Sequence, residues 1–299
     1  MHVRILGSAA GGGFPQWNCN CATCEAARTG AHPAERRTQS SIAVRGSAGP
    51  WYLVNASPDL RQQLELLAPK RRNGLRTTPV AAVLLTDAEI DHTAGLLLLR
   101  ESSVPVQVYS SDAVRRALTD GYPVLRMLER YCGVSWSPLE PGARIRLPDS
   151  SLEVEAFPTG GDAPLYLDEG AEAPEALGLT FRDAGSDAVL TYTPALARLD
   201  DAILSRLDAS DCALVDGTFW SDDELIALGI GARSARDMGH VPLDGPSGSL
   251  AALARVRART ILVHVNNTNP ILLDDSPERA ALDEGEIEVG RDGMEIELG

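Results

Sequence analysis

The stretch Ala82-Val83-Leu84-Leu85-Thr86-Asp87-Ala88-Glu89-Ile90-Asp91-His92-Thr93-Ala94-Gly95-Leu96 decides how the rest of the chain is read. Val80 to Leu85 is an apolar, β-branched run, the pattern of a buried strand. It runs straight into Asp87, Glu89, Asp91 and His92, and an apolar helical run, Gly95 to Leu99, follows. A strand that ends in carboxylates and an imidazole and then turns into a helix puts those groups at the mouth of a sheet. In α/β proteins, ligand and metal sites are built there. A solvated acidic turn is the plainer reading. Adjacent Asp91-His92, with Glu89 and Asp87 two and four residues before Asp91, is denser in ligand-type groups than such a turn requires.

Working outward, the chain has 299 residues, of which 44% are hydrophobic, enough to bury a sizeable core. No linker or internal repeat divides it, so one domain over residues 1–299 is expected. A net charge of −15 argues against nucleic acid as a partner, because phosphate binding needs a basic surface. No apolar run approaches a membrane span. Met1 to Gly7 begins a strand at once, without the charged and apolar regions of a signal peptide. A cytoplasmic protein with its five cysteines reduced is the expectation.

Towards the N-terminus, Gly7-Ser8-Ala9-Ala10-Gly11-Gly12-Gly13-Phe14-Pro15 follows a strand. It has no Lys to complete a phosphate loop, so it reads as a tight loop packed near the site. Cys19, Cys21 and Cys24 come next. Disulfides at such spacing are strained, whereas three thiolates suit one tetrahedral Zn²⁺ with a fourth ligand from a distant segment. Such a zinc is structural. Asp59 reads equally as a helix cap for Leu60 to Leu67 and as a support of the metal loop. Towards the C-terminus, Gly160 to Leu177 reads as a mobile surface loop able to cover a site. Ala213 to Trp220 is a strand carrying Asp216, Met238-Gly239-His240 precedes a helix, and the strand beginning at Thr260 delivers His264 to the same sheet edge. Strands early and mixed strands and helices later suit an α/β sandwich of αββα layers.

The central stretch resembles the His-x-His-x-Asp-His signature of the metallo-β-lactamase superfamily, with Asp87 and Glu89 in place of the first two histidines. That resemblance implies two mixed sheets flanked by helices. It also implies that the intact Asp91-His92 pair belongs to the second metal of what is elsewhere a dinuclear site. Tyr192-Thr193-Pro194-Ala195-Leu196 occupies the stretch where a bridging Asp is expected. Dinuclear hydrolysis needs two ions about 3.5–4 Å apart. Ligands for only one survive here. Two His and one carboxylate, from Asp91, His92 and His264, match the facial triad of non-haem Fe(II) oxygenases; mononuclear Zn²⁺ hydrolysis is the alternative.

Longer motifs narrow the resemblance. Leu6 to Cys21, Arg37 to Ala43, Asn55-Ala56-Ser57-Pro58-Asp59, Val215-Asp216-Gly217-Thr218, Met238-Gly239-His240 and His264-Val265-Asn266-Asn267-Thr268-Asn269-Pro270 are similar to the pyrroloquinoline quinone biosynthesis protein B family, over nearly the whole chain. The resemblance implies Fe(II)- and O₂-dependent hydroxylation of the tyrosine ring of a cross-linked Glu-Tyr intermediate, with other proteins of that pathway as partners. A carrier of the finished cofactor and a phosphodiesterase-like zinc hydrolase are the rival roles. It places iron on Asp91, His92 and His264. Asp87 and Glu89 would accept phenolic protons, His240 would move them onward, and zinc would sit on Cys19, Cys21 and Cys24. A small amino-acid-derived substrate carries several carboxylates, so Arg37, Arg61 and Arg100 are its candidate clamps. Related carbon–phosphorus lyase phosphodiesterases close the thiol site with a His where this chain has Asn267, which leaves the fourth ligand open between His240, Asn267 and water.

Overall fold

The computed structural model describes residues 1–67, 75–161, 163–167 and 175–299. The first half of the chain forms strands β1 (His2–Gly7), β2 (Ser41–Arg45), β3 (Trp51–Val54), β4 (Val80–Leu84), β5 (Val106–Ser110) and β6 (Val134–Pro138). The second half adds β7 (Arg144–Arg146), β8 (Leu152–Gly160), β9 (Ala176–Asp183), β10 (Val189–Thr193), β11 (Cys212–Asp216), β12 (Arg259–Val263), β13 (Glu288–Val289) and β14 (Glu295–Glu297). They build two sheets, in the orders β14-β1-β2-β3-β4-β5-β6 and β7-β8-β9-β10-β11-β12-β13. In each sheet, read in that order, three antiparallel pairings are followed by three parallel ones. The two sheets therefore share one pattern of pairing, although the sequence shows no repeat.

The alternation of side chains along each strand explains the layers. Ala82 and Leu84 of β4 pack inward with Leu214 of β11 and Ile261 and Val263 of β12, in a core shared by the two sheets. Val83 and Leu85 point the other way, into a second core with Leu60, Leu96, Leu118 and Leu128 from helical segments. Val215 and Leu262 do the same on the far side, against Ile203, Leu207, Leu253 and Leu282. The result is the αββα sandwich expected from the sequence.

The apolar run after His92 is helical, as expected, but as a 3-10 segment from Ala94 to Glu101. The predicted loop Gly160 to Leu177 is shorter than expected. Gly160 closes β8 and Ala176 opens β9, while residues 162 and 168–174 lie outside the described residues. Among the described residues, no helix is long and apolar enough to cross a membrane.

Candidate metal centre

β4, β11 and β12 are neighbours of parallel partners, and their carboxyl ends lie at one edge of the sandwich. Past β4 come Asp87, Asp91 and His92; Asp216 ends β11; His264 follows β12 directly. His264 has a left-handed backbone, φ 57°. That conformation is costly for a residue with a Cβ and is held here by neighbours. Gly217 N donates to the Val263 carbonyl at 2.9 Å, and Val265 N donates to Ser8 O at 2.9 Å. Asn55, also left-handed at φ 61°, plays the matching part beside β4, bonding Thr86 through both ends of its amide.

Three histidines converge. The ring centroids of His92 and His264 are 5.1 Å apart, and His240 stacks on His264 at 5.3 Å. Each imidazole is anchored through Nδ1. His92 Nδ1 lies 2.7 Å from Asp87 Oδ2, His240 Nδ1 lies 2.6 Å from Asp216 Oδ2, and His264 Nδ1 lies 2.8 Å from Thr218 Oγ1. A carboxylate only accepts, so His92 and His240 carry their proton on Nδ1. Thr218 gives its own hydroxyl proton to Asp216 Oδ1 at 2.5 Å, so it accepts from His264 in turn. In the neutral form, the one a metal binds, all three imidazoles then keep a lone pair on Nε2.

Two observations call for a cation among those nitrogens. His92 Nε2 is buried with no hydrogen-bond partner among the described residues. His264 Nε2 lies 3.2 Å from Asp91 Oδ2, a pair that a shared proton or a shared metal ion would hold together. Asp91 Oδ2 is also 4.0 Å from His92 Nε2, and the three groups can together hold one metal ion. Asp216, His240 and His264 also lie within reach of one another, but both Asp216 oxygens are spent on Thr218, Leu196 and His240. Asp216 thus orients, whereas Asp91 is available to bind. The residues present fit a mononuclear site on Asp91, His92 and His264.

Charge is unbalanced in the same sense. Burial alone would keep His92 neutral, but Asp87 and Asp91 overcome it and push its pKa up to about 9. Asp91 is held well below the usual carboxylate range: burial opposes its ionisation, and His92 and His264 more than offset that. Glu89 sits at the mouth, open to solvent on one side, yet crowding by protein together with Asp87 and Asp91 pushes it up to about 7.

The cavity over this cluster has a volume of ≈ 290 Å³ and takes in Ala10, Gly11, Ala195, Phe219, Arg233 and Met238 beside the groups already named. The glycine loop does pack against the site, since a Cβ on Gly11 would lie 3.4 Å from Asp91 Oδ2. Asp59 supports that loop at one remove: it accepts from Gln39, whose side-chain Oε1 accepts from Gly12 N at 3.0 Å. Ala163 to Leu165 of the predicted covering loop line the cavity too, and Tyr166 ties that loop to Ala88 O at 2.8 Å.

The β-lactamase superfamily domain matches residues 50–265. Coenzyme PQQ synthesis protein B of Pseudomonas putida is 45% identical over 304 residues, covering 100% of both chains. The protein of that name from Cupriavidus necator is 47% identical over 305 residues, covering 99% of each. This chain belongs to the coenzyme PQQ synthesis protein B family. Zn²⁺-bound PqqB from Methylobacterium extorquens superposes with a TM-score of 0.90 at 38% identity over the full length of both chains. A diphosphatase of the PhnP family, at 19% identity and a TM-score of 0.69, shares the fold.

Several predicted positions need correction within this PqqB-family framework. Asp87 is no free base in a vacated pocket, because both its oxygens are bound to His92, Thr86 and Glu89 N. Arg37 is buried away from the cavity, with Nη1 bonded to Ser8 and to Gly290 O. Burial lowers its pKa to about 10. Arg61 and Arg100 line a separate surface cavity with Leu64, Pro79 and Leu98. A larger groove of ≈ 570 Å³ adjoins that face and holds none of the histidines. Asp216 and Thr218, which set two of the three imidazoles, stood in the sequence as a strand end and a family motif, Asp-Gly-Thr, with no role attached. Arg233 had no motif to announce it.

The thiol cluster is assembled as expected. Cys19, Cys21 and Cys24 have sulfurs within 4.8 Å of one another. Burial holds Cys24 up to about 11, while in Cys21 contacts led by Thr23 outweigh burial and lower it. Asn267 Nδ2 lies 3.3 Å from Cys24 Sγ and 3.7 Å from Cys21 Sγ. His240 is committed to the cavity, so of the two side chains weighed as fourth ligand Asn267 is the one beside the sulfurs.

Proposed function

We propose that this chain acts in PQQ synthesis as a non-haem iron oxygenase that hydroxylates the tyrosine ring of a cross-linked Glu-Tyr intermediate, with O₂ as co-substrate. Its place in PQQ synthesis rests on full-length kinship with proteins of that name. The observation that carries the chemistry is the single convergent donor set of Asp91, His92 and His264, beside Asp87 and Ala195 where a dinuclear hydrolase would need further ligands. An iron(II) ion held there would supply O₂ activation and a cation that favours the phenolate form of the substrate.

The remaining work belongs to the chain's own residues. A cavity of ≈ 290 Å³ lies at the small end of ligand pockets, which suits an amino-acid conjugate rather than a folded partner. His240 offers Nε2 to accept a proton, and Asp216 on its Nδ1 stabilises the imidazolium that forms. Burial alone would hold His240 neutral, but Asp216 raises its pKa. Glu89, poised near neutrality, is a second proton acceptor at the mouth. The Zn²⁺-bound relative favours a second reading, hydrolysis at one zinc.

Anaerobic loading with Fe(II), addition of the cross-linked Glu-Tyr compound and then of O₂ separates the two. Oxygen uptake matched by added oxygen in the product mass supports the oxygenase. Zinc-dependent cleavage of a phosphodiester without O₂ would give the site to the hydrolase.

A further inference from the structure

Arg233 is the one Lys or Arg side chain among the described residues that line the cavity. It lies on the exposed segment that links β11 to His240, a different element from the β4 loop that supplies Asp87, Glu89 and Asp91. Its guanidinium is only partly engaged: Nη2 donates to the carbonyl of Asp237, and, behind the hydrogen bonds from Ser234, its charge helps hold the Asp237 carboxylate below its usual range. The Asp237 side chain is occupied by Ser234 N at 2.9 Å. The backbone bond fixes the stem of the side chain while leaving most of its planar fork free. Arginine prepared in that way suits a carboxylate taken up in bidentate fashion.

We propose that Arg233 binds a carboxylate of the substrate and so sets which end of an amino-acid conjugate faces the histidines. This rests on the oxygenase reading and names the residue that would give it substrate orientation. A carboxylate held by Arg233, which stands on a different element from Asp91 and His92, leaves the phenol as the end that faces His92 and His264. The same arrangement selects against tyrosine-like molecules whose carboxylates are capped.

The test is calorimetric binding to zinc-loaded protein, in which no turnover intervenes. The probes are the cross-linked Glu-Tyr compound as its free acid and as its fully methylated ester. For the free acid, Arg233→Gln should weaken binding by roughly ten- to a hundredfold, as expected for loss of a charge-assisted contact. Arg233→Lys should restore part of it, and the ester should bind wild type and variant alike. Arg61→Gln, on the other cavity, should match wild type. Equal free-acid affinity in wild type and Arg233→Gln overturns the assignment and leaves the oxygenase reading standing. Failure of wild type to bind the free acid at all overturns both.

Discussion

Asp87→Asn tests the idea that one carboxylate aims His92 at the metal. In the wild type Asp87 Oδ1 and Oδ2 lie 2.8 and 2.7 Å from His92 Nδ1. Oδ2 also accepts from the Thr86 hydroxyl at 2.7 Å, and Oδ1 from Glu89 N at 3.0 Å. Thr86 can turn its hydroxyl to accept, but His92 Nδ1–H lies against both oxygens, so an amide NH₂ faces that donor whichever way it is turned. One charge-assisted hydrogen bond is lost, worth about 1.5–3 kcal/mol. Removing the partner that orients a ligating histidine commonly weakens metal binding by about 10–100-fold, which is about 1.4–2.7 kcal/mol. The two routes agree. With the thiol site already filled by zinc, anaerobic competition of Fe(II) against a chromophoric chelator should show the dissociation constant raised by that factor, and Zn²⁺ should follow the same trend. The metal-free variant should also lose about 1–3 kcal/mol in denaturant unfolding, because the buried His92 Nδ1 loses a matched acceptor. Wild-type metal affinity in Asp87→Asn would refute the reasoning, since His92 would then be oriented by something else.

Cys21→Ser should yield less soluble protein with less zinc per chain, read by metal analysis of the purified protein, because a hydroxyl is a poor replacement for a thiolate; a stable variant with full zinc content would refute it. Asp183→Asn should lower stability at neutral pH. The Asp183 carboxylate takes hydrogen bonds from Ser47 and Ser186 and lies 3.3 Å from the Met1 amino group. Burial opposes its ionisation, but these donors, with Ser151 and Gly185, hold it well below the usual range. It is shut off from solvent yet lies close beneath the surface, so screening trims the cost of its loss to about 2 kcal/mol. A lowered folded-state pKa gives stability that is present above the unfolded value, about 3.9, and lost as pH falls towards the folded one. Wild type and Asp183→Asn should therefore converge in urea unfolding below about pH 4; a gap that stayed constant from pH 7 to pH 3 would count against this account.

How much was legible in the sequence depended on how local the cause was. Val80 to His92 showed both strand and site because the strand's apolar pattern and its ligand-bearing end are contiguous. His264 was legible for the same reason at the end of β12. The orienting contacts were not, because they join separate strands: Thr218 meets His264 across a gap of 46 residues. Arg37 misled because a charged residue in a motif suggests an exposed binder, whereas its cationic head is held by Ser8 and the carbonyl of Gly290 inside the fold. Asp87 was placed correctly at the site, but its role turned on a single contact with His92 that spacing alone does not specify. The shared pairing pattern of the two sheets left no trace in the sequence, since strand order is carried by which edges pair and not by residue identity.

The left-handed backbone at His264 makes stability and function competing goals for anyone engineering this scaffold. Glycine would relieve on the order of 1–2 kcal/mol of steric cost at that position. A library screened only for resistance to heat sees just the balance of that relief against the lost contacts of one buried ring, and does not see that glycine deletes the imidazole shared by the metal site and the His240 stack. Thermostabilised variants of this fold should therefore be selected under a metal-binding requirement from the first round.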